Sequence, residues 1–299
     1  MKTEHQFNKA IGFAVSGIKH YDTEVYRNSA DSFAALSVTG VVCKQGCPHC
    51  GGLLLHSMYD AEKPGDFINR VDKLAEAGCS GILVSGGCDG GSVPLMRYID
   101  GIAHARRRYL KVVVHTGLLD KETAAALKSA NVDRILMDVI GSKKTISKVY
   151  GIDKTPEDFF ESLLIGKDAG LDISPHLVVG LDFGVTDGEY AAIEMVRRAG
   201  VQSFVLVVLT PKRGTKMQGA LPPPLPDVIK VFEYAAGTLD DVNIMLGCSR
   251  PSSYTAELEK TAVDLAFAAI SYPRVETVRY AQEQGYNTCF FELCCCLVC

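Results

Sequence analysis

The sequence predicts an α/β fold, a closed (β/α)8 barrel of the TIM type, on three observations. Short runs rich in β-branched residues alternate with amphipathic segments, which is the pattern of strand-helix units. The runs are apolar throughout instead of alternating, as expected of parallel strands covered on both faces. There are eight such units in 299 residues, which suits a closed barrel better than an open doubly wound sheet, the second choice.

The expected strands are 34–42, 81–85, 111–115, 134–139, 173–180, 203–209, 242–246 and 265–270. Residues 66–77, 121–130, 156–169 and 189–198 read as helices between them. Three regions follow: an N-terminal helical extension over 1–32, the barrel over 33–286, and a cysteine-rich tail over 287–299. The proline-rich LPPPLP at 221–226 precedes VIKVFEYAA and reads as a stiffener before a helix, not as a recognition motif.

Composition excludes several classes. With 47% hydrophobic residues, 22% charged residues and a formal net charge of -4, the chain can bury a large core and has no electrostatic reason to bind nucleic acid or an anionic membrane. Its longest basic run is Arg106, Arg107 and Arg108. The start shows no export signal and no apolar stretch reaches the ~20 residues that span a bilayer, so a cytoplasmic location is expected. Eleven cysteines in such a chain indicate metal or redox chemistry in a reducing compartment instead of disulfides. Most fall in two clusters, at 43–50 and 289–299; Cys79, Cys88 and Cys248 stand apart.

Each expected strand runs into a loop rich in glycine, histidine or charge, and in a barrel these loops meet at one rim, where active sites lie. VCKQGCPHCGG at 42–52 places Cys43, Cys47 and Cys50 in a CxxxCxxC spacing. A closed structural site uses four protein ligands, whereas three thiolates on a cubane leave one iron open. The remaining reading is a zinc site completed by His49, His56 or a distant cysteine, or reduced surface thiols. Asp138, ending the fourth expected strand, is either a ligand contact or a cap of the next helix. His115 and His176 are rim ligands or satisfied strand-end histidines.

CxxxCxxC after the first barrel strand, with the ring of His49 before the last cysteine, resembles the signature of the radical S-adenosylmethionine (radical SAM) enzymes. The resemblance implies a [4Fe-4S] cluster on Cys43, Cys47 and Cys50. It also implies S-adenosylmethionine chelated to the fourth iron and cleaved to a 5′-deoxyadenosyl radical that abstracts hydrogen from an unactivated carbon. SGGCDGG at 85–91 resembles the glycine pair that meets the methionine amino group, here Gly86 and Gly87, with Cys88 where a glutamate is usual. HLVVGLDFG at 176–184, containing Gly180, resembles the segment near the adenine, and LTPKRGTKM at 209–217 the P-x-x-GT segment of the biotin synthase branch. On this resemblance Asp138 contacts ribose or substrate.

GCSRPSSY at 247–254 places Arg250 where biotin synthases hold an arginine beside an auxiliary cluster, and RPSSY is similar to the lipoyl synthase RSSY segment with Pro251 interrupting it. Together with the tail CFFELCCCLVC at 289–299, this resembles one component of the two-component lipoyl synthase found mainly in archaea and anaerobes. It implies a possible auxiliary iron–sulfur cluster on Cys294, Cys295 and Cys299 with Arg250, and sulfur insertion into an octanoyl chain. The implied partners are an octanoylated lipoyl carrier domain or a small-molecule substrate, a second radical SAM subunit, and a ferredoxin or flavodoxin as electron donor. A biotin-synthase-like methyl or skeleton reaction without sulfur insertion, and an iron–sulfur or zinc carrier protein, are the alternatives. Adjacent tail cysteines cannot all reach one cluster from an extended strand. Deleting the chain after Gly285 is expected to leave the barrel intact.

Overall fold

In a computed structural model, residues 9–297 are described. Eleven strands form one parallel sheet: β1 (Ala10–Ala14), β2 (Phe33–Ser37), β3 (Tyr59–Asp60), β4 (Gly81–Ser85), β5 (Lys111–His115), β6 (Arg134–Asp138), β7 (Ile173–Val179), β8 (Ser203–Val208), β9 (Asn243–Leu246), β10 (Ala269–Ser271) and β11 (Asn287–Phe291). Their spatial order is β11-β1-β10-β9-β8-β7-β6-β5-β4-β2-β3. The intervening helices include α1 (Pro64–Glu76), α2 (Ile99–Arg107), α3 (Lys121–Ser129), a short α4 (Lys143–Thr145), α5 (Pro156–Asp168), α6 (Glu189–Ala199), α7 (Leu225–Thr238), α8 (Thr255–Asp264) and α9 (Val275–Glu283).

Neighbouring residues on a strand face opposite ways, and the two faces build two cores. Val112 and Val114 of β5 belong to a large cluster with Phe67 and Val71 of α1 and Ile102 of α2. Val113, between them, belongs to a second cluster with Phe33 of β2, Leu136 of β6, Val205 of β8, Met245 of β9 and Ala14 of β1. Strands so far apart in the sheet order share one cluster only if the sheet curls around it. The fold is therefore a half-barrel with helices outside and a packed lumen inside.

The expected strands correspond to β2 and β4 through β10, and the expected helices to α1, α3, α5 and α6. The sheet does not close as an eight-stranded ring, however. Among the described residues β3 and β11 do not pair with each other, because β1 and β11 add to β10 and the loop 15–32 lies between β1 and β2. Two end points also moved. The first expected strand stops at Ser37, where Ser37 Oγ donates to the Gly40 carbonyl at 2.6 Å and Gly40 takes a φ of 55°. The last begins at Ala269, since Leu265 caps α8 and Ala266 takes a φ of 56°.

The N-terminal region expected to be helical contains β1 instead, and no helix lies within residues 9–32. AIGFA is buried at four of its five positions between β10 and β11, an environment that favours Ile and Phe in a strand. The tail departs from expectation as well. Its first part is β11, paired with β1 over five residues, and Cys295–Leu297 forms a 3-10 turn whose Cys295 and Cys296 are buried in the lumen cluster. Cys299 lies outside the described residues. No helix of the described residues is long and apolar enough to cross a membrane.

Candidate functional site

The loop after β2 carries the three spaced cysteines and is braced from two sides. Gln45 N–H donates to the Cys88 carbonyl at 3.1 Å, and Gly87 N–H donates to Thr39 Oγ1 at 2.7 Å, tying the loop to the one after β4. Met217 N–H donates to the Pro48 carbonyl at 3.1 Å, tying it to the loop after β8. Within the loop, Cys50 and Gly51 N–H groups converge on the Cys47 carbonyl at 3.2 and 2.8 Å, which folds the second and third cysteines back on one another.

Gly87 shows why this approach needs glycine. A Cβ there would lie 2.1 Å from the Val42 carbonyl oxygen and 2.5 Å from Cys43 Cα, far inside contact distance. Gly86 is tight too, its Cβ position lying 3.0 Å from Val38 Cγ2. These residues set the position of Cys43 through their own lack of bulk.

Cys47 is buried, and Cys43 and Cys50 are half-buried. Gln45 Nε2 donates to Cys47 Sγ at 3.3 Å. Burial pushes the Cys47 thiol up to about 12, with the Gln45 contact opposing it, and raises Cys50 as well. Such thiols keep their protons until a cation replaces them. Among the described residues no three His, Cys, Asp or Glu side chains gather closely enough to hold a single metal ion.

Inside the rim lies a polar layer. Asp138, at the end of β6, accepts a hydrogen bond from Tyr150 Oη at 2.6 Å and faces His115 Nε2 at 3.9 Å, too long for a hydrogen bond. Asp138 pairs in register with His176 of β7. Burial works against the charge of Asp138, but His115 and the Tyr150 hydroxyl outweigh it and the carboxyl titrates below its usual range. Tyr150 is raised well above its usual value, by burial first and by Asp138 next. Burial, with His115 nearby, lowers His176 to about 4, and its Nδ1 lies 3.0 Å from the Ser174 carbonyl. His49 sits with its ring centre 6.0 Å from that of Tyr150, and its buried Nδ1 has no partner among the described residues. Cys88, where the resemblance expects a glutamate, has its thiol raised to about 12 by burial and then by Asp138.

Several expectations resolve here. Asp138 is not a helix cap: Ser142 Oγ caps α4 by accepting from Thr145 N–H at 3.2 Å. Gly180 N–H is committed to Glu189 Oε1 at 2.8 Å, and its Cβ position falls 2.6 Å from Pro223, so this glycine seats the proline-rich loop. That loop leads directly into α7 with Pro224 as its cap residue. Arg250 is engaged by Glu259 and by nearby backbone. Its guanidinium is tied up by Glu259 Oε1 at 2.5 Å and by the carbonyls of Gly247, Ser271 and Tyr272 at 2.8, 2.7 and 3.0 Å. This pair is buried on both sides, and removing either partner would strand a charge.

Cys294, Cys295 and Cys296 pack in the lumen cluster. Cys294 Sγ and Cys296 Sγ are 3.2 Å apart. Cys295 packs with Val205 and Met245. Cys248, after β9, is exposed, yet burial raises its thiol pKa and Cys295 raises it further.

Tyr150 and Gln45 escaped the sequence reading. Tyr150 reaches Asp138 from the end of a π-helical turn, Ile146–Tyr150, and nothing in ISKVY announces that turn. Gln45 stands inside the cysteine motif and could have been weighed as a donor to sulfur.

The Radical SAM superfamily model matches residues 37–196, and the chain belongs to that superfamily. The matched interval contains the cysteine loop, the glycine pair, Asp138 and Gly180; Arg250 and the tail fall beyond it. A biotin synthase of Rhodopirellula baltica is 24% identical over 205 residues, a match covering 66% of this chain and 56% of that protein. Among solved structures, HydG, a maturase of the [FeFe]-hydrogenase, superposes with a TM-score of 0.63 at 16% identity, covering 94% of this chain and 65% of that one. Methylornithine synthase (PylB) also gives 0.63, at 10% identity, covering 86% and 83%. At these identities the structures bear on the fold alone. Family membership supports cleavage of S-adenosylmethionine with an iron–sulfur cluster. The residues present fit such a cluster: three thiols on one braced loop, a glycine pressed on Cys43, and the unpartnered His49 Nδ1 beside them.

Proposed function

We propose that Cys43, Cys47 and Cys50 hold a [4Fe-4S] cluster and that the chain turns S-adenosylmethionine into a hydrogen-abstracting radical. The observation that carries this reading is the cysteine loop itself, braced by Gln45 to Cys88 and by Met217 to Pro48 above the Asp138 layer. When bound, the cluster supplies the electron that cleaves the sulfonium. The chain's own residues then have separable tasks. The backbones around Gly86 and Gly87 shape the loop for the methionine end, Asp138 offers a charged acceptor to hydroxyl groups, and Tyr150 holds that carboxylate in place. The apolar lumen wall keeps water from a reactive carbon centre.

For the reaction itself we propose sulfur insertion at an unactivated carbon of an octanoylated lipoyl carrier domain, acting with a second radical SAM subunit. What supports it is the set of thiols at 294–296, of which Cys295 and Cys296 are buried in the lumen cluster and Cys294 packs against it. A reaction without sulfur insertion is the second reading, favoured by the commitment of Arg250 to Glu259.

Anaerobic reconstitution tests both levels. Wild-type protein should bind about four irons at the first site and release 5′-deoxyadenosine with dithionite as reductant. Alanine at Cys43, Cys47 or Cys50 should abolish that release, and retained cleavage in any of the three defeats the assignment. Replacing Cys294, Cys295 and Cys296 together by serine should keep 5′-deoxyadenosine formation while removing sulfur-containing product. If iron content and product are unchanged in that variant, the sulfur-insertion reading fails.

A further inference from the structure

The amide of Gln45 is half satisfied. Its Nε2 donates to Cys47 Sγ at 3.3 Å, while its Oε1 is buried and has no partner among the described residues. A glutamine turned outward would satisfy both ends of its amide in water, so a pose that leaves one end bare needs an offsetting contact. A neutral thiol is a weak acceptor. A thiolate bonded to iron accepts more strongly, because the hydrogen bond is then charge-assisted, and a buried setting strengthens it further. Cys47 is 6% exposed. The amide is therefore arranged for the loaded loop more than for the empty one.

Three features hold the amide in place. The Gln45 backbone N–H is fixed on the Cys88 carbonyl at 3.1 Å, and Lys44 Nζ beside it pairs with Asp89 Oδ2 at 2.6 Å. Gly46, at a φ of 55° and with nothing within 4 Å of its Cβ position, turns the chain between Gln45 and Cys47. Backbone conformation, not space, asks for glycine there. The contact to sulfur also stands alone. Among the described residues Gln45 is the one side chain that donates to any of the three sulfurs. Cys50 is met by the backbone at Gly52, and Cys43 Sγ only approaches the Cys88 carbonyl, at 4.0 Å.

On the function proposed above, we infer that Gln45 sets the reduction potential of the centre held by Cys43, Cys47 and Cys50, its side-chain N–H raising that potential through Cys47. Reduction adds one electron and breaks no bond. The added negative charge spreads onto the ligand sulfurs, and a donor aimed at one of them favours the reduced state over the oxidised one. Acting through Cys47, Gln45 is a positioning residue and not a ligand.

Redox titration of the anaerobically reconstituted protein, with dithionite as reductant and the electron paramagnetic resonance signal of the reduced cluster as readout, tests this. In Gln45→Leu, which lacks the donor, the ratio of reduced to oxidised centre at a fixed potential should fall about tenfold, a shift of about −59 mV for a one-electron couple. In Gln45→Glu the ionised carboxylate only accepts, and its charge should take the potential lower still. Both variants should keep the iron content of wild type. A role confined to bracing the loop would lower iron content and would not order wild type, Gln45→Leu and Gln45→Glu by potential. An unchanged or higher potential in Gln45→Leu overturns the inference, and so does loss of iron from both variants while wild type stays loaded. If wild type itself takes up no iron, it is the proposed function that fails.

Discussion

His176 sits in the polar layer with its ring buried and its pKa depressed from about 6.5 to about 4. A base held neutral in the folded state and free to protonate in the unfolded state makes stability depend on pH in one direction. Between the two values the unfolded chain binds the extra proton, so stability is complete above about 6.5 and drains away as pH falls toward 4. The loss can reach about 3 kcal/mol at 1.36 kcal/mol per unit. Urea melts of the His176→Gln variant should show a flatter profile than wild type across that window; an identical slope would remove His176 from the account. Four of the residues that matter most were readable without coordinates, because Cys43, Cys47 and Cys50 announce themselves by spacing and Gly87 by its place one unit later. Tyr150 and the fate of Arg250 were not. Tyr150 reaches Asp138 only through a π turn, and Arg250 meets Glu259 nine residues on because α8 folds back beneath it. Neither contact has a local signature.

At the level of elements, β11 changes what the C-terminus can be. Read as a string, CFFELCCCLVC is dominated by its cysteines and suggests an appendage. In the fold, the residues just before and within it complete the sheet: Phe290 stacks on Tyr26 with ring centres 4.5 Å apart and meets Phe13 at 5.3 Å. Glu292 accepts from Ser29 N–H at 2.9 Å and Tyr26 Oη at 3.0 Å, holding the strand to the loop 15–32. A chain ending at Gly285 should therefore lose several kcal/mol, in line with the 3–5 kcal/mol typical of deleting one large buried aromatic, and should melt well below wild type by calorimetry. A chain ending at Leu293 keeps β11 and should fall between the two. Equal melting temperatures for all three would mean that β11 adds nothing to the sheet. The strands most legible in the sequence, β4 through β8, are those whose β-branched runs are flanked by clear helices. β3 is only two residues long, and β1 and β11, though as long as β4, depend on partners distant in the chain or lie at an edge of the sheet.

Across the whole molecule, the family match and the half-barrel explain why one curled sheet can carry a reactive centre at its rim. The loops after β2, β4 and β8 come from segments far apart in the chain, and the sheet alone gathers them. The barrel class was legible from the repeated strand-helix rhythm. Its incomplete closure was not, since closure depends on where β1 and β11 dock and rhythm does not report that. Pulse-labelled hydrogen exchange during refolding should find the amides of Ile11, Phe13 and Ala14 protected after those of β4 through β8, whose neighbours in sequence are also neighbours in space. Simultaneous protection would show that the two chain ends meet early.

That pairing of the ends has a consequence for synthesis. β1 takes its neighbours from β10 and β11, with Gly12 opposite Ala269 and Cys289. A ribosome adding roughly 5–20 residues per second delivers those partners tens of seconds after β1 has left the exit tunnel. For that interval AIGFA is an apolar strand with both edges open, beside a half-built sheet whose first strands can already associate. Newly made chains are thus at their most adhesive until β10 and β11 emerge, and growth at lower temperature or with a holding chaperone in excess should raise the soluble yield of the protein more than any change to its surface.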